Sequence, residues 1–165
     1  MQNAFSPLET SLPTSVQEVI DRTEIVDALY RFGAGQDLRE RQLFESAFAE
    51  HAVLDFSQPA RRFGVTLAPF EGRATIANTV FGTIAGLDTT HTVTNPRVTI
   101  AGDRASLFAL VEAQHLPRED HRRHCLLKNI YTVDLVRDDR RWVIAHMTIH
   151  NVWYDGDPTV LFPGA

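Results

Sequence analysis

Residues 104–116 read RASLFALVEAQHL and residues 122–137 read RRHCLLKNIYTVDLVR. Side chains alternate across a β-strand, so odd and even positions sort onto opposite faces. The odd set of the first stretch is Ala105, Leu107, Ala109, Val111, Ala113 and His115. That of the second is Cys125, Leu127, Asn129, Tyr131, Val133 and Leu135. Each is an apolar wall carrying a few polar tips, while the even positions hold His124, Lys128, Thr132 and Asp134. This pattern predicts half-buried strands. Residues 89–100 (TTHTVTNPRVTI) and 141–153 (RWVIAHMTIHNVW) complete a set of four. Ala101-Gly102-Asp103 and Asp138-Asp139-Arg140 supply turns within the first and last pairs. Pro96 predicts a bulge or an edge position. His146 and His150 share a phase with Trp142 and Ile144, opposite Val143, Ala145, Met147 and Ile149, and are expected on the outer face or at a subunit contact.

Upstream the period becomes helical. Ser15 and Glu18 fit a capping box, followed by Val16, Val19, Ile20, Thr23, Val26, Leu29 and Tyr30 as an apolar stripe. Gly33 and Gly35 are expected to weaken this helix near its end, with Asp37 just beyond. A second helix is predicted over Arg39 to Ala49, a strand over His51 to Phe56, and a hairpin or loop over Gln58 to Ala68. A third helix follows over Ala74 to Ala85. Helices first and strands afterwards define an α+β class, three N-terminal helices lying against a curved antiparallel sheet. The hollow between the layers is where a small ligand would bind. Residues 15–155 read as one domain, with tails at 1–14 and 156–165. Leu161, Phe162 and Pro163 predict that the second tail forms a lid or a subunit contact.

Composition narrows the partners. The chain has 165 residues, 44% hydrophobic and 22% charged, ordinary values for a globular domain. Its longest uncharged stretch, Ala74 to Leu87, is too short and too polar to span a bilayer, so no membrane role is expected. Residues 1–13 lack the basic and apolar blocks of a secretory signal. A net charge of −5 argues against nucleic acid, which needs a basic surface. The one cysteine, Cys125, excludes an internal disulfide framework or a zinc site of several thiolates, and makes the reducing cytoplasm the default compartment. His121 and His124 sit three apart with no acidic or thiolate partner nearby in sequence, so no metal site is expected.

Asp37, His91, His115, Asn129 and Tyr131 remain as groups that could carry chemistry. Each has an ordinary structural use as a cap, a satisfied histidine or a packed tyrosine, and spacing alone does not choose. The element order resembles SnoaL-like proteins of the nuclear-transport-factor-2-like superfamily. The stretches Tyr30 to Asp37, Leu43 to Ala52 and Thr90 to Asn95 carry the likeness. It implies a cone-shaped (cystatin-like) fold.

Within that superfamily, the likeness to scytalone dehydratase and hexachlorocyclohexane dehydrochlorinase implies a catalytic Asp37–His91 dyad. It also implies a second catalytic histidine, His115, and substrate-binding positions at Asn129, Tyr131, Phe56 and Gln36. Gln36 and Phe56 stand where the dehydratase has tyrosines, so scytalone itself is not the expected substrate. The implied protein is a cofactor-independent lyase of the dehydratase or dehydrohalogenase type. It would act on a small cyclic, partly apolar substrate and form a homodimer or homotrimer. The alternatives are an isomerase or polyketide-type cyclase using the same dyad, and a non-catalytic ligand-binding or assembly subunit.

Overall fold

A computed structural model describes residues 12–163, so most of the amino-terminal tail and the last two residues lie outside the description. Helix α1 spans Val16–Asp37 and α2 Arg41–Glu45; strand β1 covers Phe48–Asp55. Helix α3 (Ser57–Arg62), strand β2 (Phe70–Glu71) and helix α4 (Arg73–Thr83) follow. Four long strands complete the fold: β3 (Leu87–Ala101), β4 (Arg104–Pro117), β5 (Cys125–Asp138) and β6 (Arg141–Gly156), with a 3-10 turn at Pro158–Val160.

The α+β class expected from the sequence is the class observed. The six strands lie in the order β2-β1-β6-β5-β4-β3. The sheet is mixed, because β1 runs parallel to β6 while the other pairs are antiparallel. A fourth helix, α3, occupies part of the segment expected to be hairpin or loop. Helix α2 is shorter than predicted, since the chain after Glu45 already turns into β1.

Helix α1 starts as its sequence demands. Ser15 Oγ accepts from the Glu18 amide at 3.1 Å, and the Glu18 carboxylate reaches back to the Thr14 amide at 2.9 Å. Its packed face differs from the expected stripe. Val16, Val19, Ile20 and Tyr30 are exposed, whereas Asp21, Ile25, Ala28, Leu29, Phe32 and Gln36 are buried. The burial of Asp21 accounts for the offset. Its carboxylate accepts from Arg137 at 2.8 and 2.9 Å and from Trp142 Nε1 at 3.2 Å, so a polar residue sits on the inner face without an unpaired charge. The paired guanidinium draws its pKa down to about 2.

The glycines of α1 do not end it. A Cβ on Gly35 would lie 2.5 Å from the Phe44 backbone nitrogen, and one on Gly33 would lie 3.2 Å from His91 Cβ. They are bare so that α2 and β3 can come close. Beside them Phe32, Phe44 and Phe48 form an aromatic cluster in the core, with Phe32 and Phe44 centroids 5.4 Å apart.

The inward faces of β4 and β5 follow the odd positions throughout. Bulges shift the phase elsewhere. At Asn95-Pro96 on the edge strand β3 the register slips, bringing both Val93 and Val98 against the core. Ala145 is an extra residue between Asp134–His146 and Leu135–Ile144, so Trp142 and Ile144 turn inward while His146 and His150 face out. Among the described residues no helix is long and apolar enough to cross a membrane.

Candidate active site

The open end of the cone holds a cavity of about 410 Å³. Its walls are mostly apolar: Phe32, Leu54, Phe56, Phe70, Val80, Ile84, Leu127 and Ile149 contribute, and the tail residues Leu161, Phe162 and Pro163 close one side. Phe162 stacks on Phe56 at 5.8 Å and packs on Phe63 at 4.9 Å, so the tail lies over its own chain's cavity. The polar groups are few: Gln36, Thr79, Thr83, His91, His115, Asn129 and Tyr131.

Asp37 is the last residue of α1, and His91 lies near the start of β3. The bare face of Gly33 allows β3 to lie against the helix end. Arg39 holds the two elements together, donating to the Gln36 and Leu87 carbonyls and to Thr89 Oγ1 at 3.1 Å. Asp37 Oδ2 then accepts from the His91 amide at 2.7 Å, and Oδ1 from His91 Nδ1 at 2.7 Å and Thr89 Oγ1 at 2.9 Å. Burial alone would raise the Asp37 pKa; these bonds more than offset it and leave the carboxyl below its ordinary range. An ionised acceptor requires Nδ1 of His91 to carry the proton. While the ring is neutral the other nitrogen, Nε2, is a lone pair, on a side chain only 4% exposed.

His115, on β4, lies with its ring centroid 6.0 Å from that of His91. Its Nδ1 donates to the Cys125 carbonyl at 3.2 Å, so its Nε2 is also a lone pair while the ring is neutral. Burial, reinforced by the neighbouring His91, lowers its pKa to about 4. At neutral pH the second histidine is thus an acceptor with no proton to give. Tyr131 packs edge-on against Phe32 at 6.0 Å, and burial raises its phenol well above the usual range, keeping it protonated. Gln36 lines the cavity with its amide nitrogen donating to the Phe32 carbonyl at 3.1 Å. Phe56 serves as an aromatic wall.

All seven positions expected from the sequence therefore border one cavity or, for Asp37, support a group that does. Others were not legible. Thr89 shares the phase of His91 two residues on, a weak signal for its bond to Asp37. Arg39 and Asn151 gave none. His121 and His124 find acids distant in sequence, Asp88 at 2.9 Å and Asp155 at 3.2 Å, on the exposed surface. Among the described residues no group of three or more metal-binding side chains is assembled. Cys125 is buried and its thiol pushed up to about 11, which makes it a poor nucleophile.

A half-open, mostly apolar cavity against the sheet, holding a carboxylate-oriented imidazole, is the candidate site of this α+β fold. The chain belongs to the SnoaL-like domain family, which matches residues 17–148. It is similar to terrestric acid biosynthesis cluster protein E of Penicillium crustosum, with 34% identity over 158 residues covering 89% of this chain and 94% of the relative. Among solved structures it resembles a type 3 hexachlorocyclohexane dehydrochlorinase from Novosphingobium barchaimii (17% identity, 86% and 93% of the two chains, TM-score 0.71). It also resembles a protein from Kribbella flavida (22%, 83% and 94%, TM-score 0.75). A cystatin-like protein of unknown function from Nostoc punctiforme matches at 15%, over 86% and 95% of the two chains, with a TM-score of 0.63. At these identities the structural likenesses establish the fold.

Proposed function

We propose that the protein is a cofactor-independent lyase acting on a compact, partly apolar cyclic molecule, with His91 as the general base and Asp37 as its orienting partner. The observation that carries this reading is the 2.7 Å bond from His91 Nδ1 to a half-buried carboxylate, which holds the proton on Nδ1 and leaves Nε2 of the neutral imidazole as a lone pair in a mostly apolar cavity. Asp37 fixes the tautomer and stabilises the imidazolium that forms when His91 takes a proton from carbon. The electron pair released from that C–H bond becomes the new double bond. The bond to the leaving group breaks, and a departing hydroxide recovers the proton to leave as water. Tyr131, protonated and buried, donates to the oxygen on which charge develops. His115 accepts from a substrate hydroxyl, a role that its neutral tautomer allows. The dehydrochlorinase among the structural neighbours is named for an elimination of the same kind, which supports this class.

The same dyad would serve an isomerisation or cyclisation, and product mass separates the cases. Cyclic β-hydroxy ketones are incubated with the protein and analysed by mass spectrometry. Loss of water indicates elimination, whereas unchanged mass with altered chromatography indicates rearrangement. His91→Ala is expected to lower turnover by about 100-fold or more while leaving the melting transition in place. Unchanged turnover in that variant overturns the assignment.

A further inference from the structure

Asn129 and Asn151 face each other across the β5–β6 pair, both inside the sheet and only 3% and 1% exposed. Asn151 sits where β6 carries an extra residue: Asn129 pairs with Asn151, Lys128 pairs with Trp153, and Val152 has no opposite number. Helix α3 holds this bulge. Gln58 Oε1 accepts from the Asn151 amide at 2.8 Å, and Arg62 donates to the Asn151 and Val152 carbonyls at 3.2 and 2.8 Å.

The bulge determines the polarity of both side chains. Asn151 Nδ2 lies 3.0 Å from the Trp153 carbonyl and 3.4 Å from that of Lys128. Two carbonyls can only accept, so the atom between them must be the amide nitrogen. That nitrogen also donates to Asn129 Oδ1 at 2.9 Å. With its oxygen committed, Asn129 has its amide nitrogen left for the cavity that it lines. This Nδ2 is buried, with the Tyr131 phenol beside it but no hydrogen bond of good geometry among the described residues. Asn151 Oδ1 is unpaired as well, behind the cavity wall.

We propose that Asn151 is a positioning residue that turns the Asn129 amide nitrogen toward the ligand, so that the site selects molecules presenting a carbonyl oxygen there. The inference deepens the proposed lyase reading by naming a substrate class. His91 and His115 offer lone pairs while their rings are neutral and the Tyr131 phenol can give or accept a bond, so the Asn129 amide nitrogen is the group among these four that can only donate. A buried donor left without an acceptor keeps its desolvation penalty unpaid. A ketone relieves it; a hydrocarbon of the same shape does not.

The test measures binding, not turnover, and so stands apart from the role of His91. 1-Indanone, carbon-13 labelled at its carbonyl, and indane are titrated into the full chain by calorimetry, and the carbonyl stretch of the bound ketone is recorded by infrared spectroscopy. The wild type is expected to bind the ketone about 10-fold more tightly than the hydrocarbon and to lower its stretching frequency. Asn129→Leu cuts the preference to the about 3-fold or less that the Tyr131 phenol alone supplies and returns most of the band shift. Asn151→Ala, which frees the amide to rotate, reduces the preference to about 3-fold or less and returns the band toward the free-ketone position. A purely structural Asn151 would weaken both probes equally and leave the band shifted, and that result overturns the proposal. Retention of the full preference in Asn129→Leu overturns it too. If Asn151→Ala fails to fold, the wild-type protein still decides: no ketone preference and no band shift refute the assignment.

Discussion

His115 offers the sharpest quantitative test of the cavity's electrostatics. Its pKa of about 4 in the folded protein compares with an ordinary 6.5, because the ring is buried and faces His91. The sign follows from linkage. Below pH 6.5 the unfolded chain takes up a proton at this ring while the folded protein does not, so stability falls as pH falls. The loss begins near pH 7.5, continues to about pH 4, and stops once both states are protonated. A shift of this size corresponds to about 3 kcal/mol in total, with a limiting slope of about 1.4 kcal/mol per pH unit. The perturbation is His115→Asn, whose amide nitrogen stands near the position of Nδ1 and can donate to the Cys125 carbonyl but cannot ionise. Urea unfolding at half-unit steps from pH 7.5 to 4 gives two stability profiles. The wild type is expected to lose about 3 kcal/mol more than the variant across that window. Asp37, whose lowered pKa also removes stability as its carboxyl protonates in acid, is common to both and cancels. Parallel profiles would refute the reading, and with it the view that His115 is a neutral acceptor at working pH.

Four further substitutions test the packing of the fold and of the cavity wall. Gly35→Ala forces a methyl into the Phe44 backbone and is expected to cost about 3 kcal/mol by chemical denaturation, whereas Gly33→Ala, meeting only His91 Cβ at 3.2 Å, should lower turnover more than stability. Asp21→Asn removes the charge that pairs with Arg137 and is expected to cost about 2 kcal/mol, measured at neutral pH; no change would mean that the pair contributes nothing net. Phe162→Ala deletes the ring stacked on Phe56 and Phe63 and should weaken indane binding as well as lower the melting temperature; equal affinity would show that the tail is not part of the cavity wall.

The sequence by itself determined that helices come first and four long strands afterwards, the inward faces of β4 and β5, and the candidate site residues. Period-two patterning is a local property, and His115, Asn129 and Tyr131 fall on walls that the pattern alone defines. Asp37 and His91 were candidates on type and resemblance, but their 2.7 Å contact depends on α1 lying against β3, an approach made possible by the missing side chain of Gly33. The packed face of α1 departs from its apolar stripe because Asp21 is buried by partners more than a hundred residues away, Arg137 and Trp142. Trp142 and Ile144 were assigned to the wrong face because one inserted residue, Ala145, reverses the alternation. Asn151 was invisible for a related reason: a bulge held by Gln58 and Arg62 gives it meaning. Tertiary structure decided these points because bulges, close approaches and long-range ion pairs arise only when separate segments meet, and no local period encodes them.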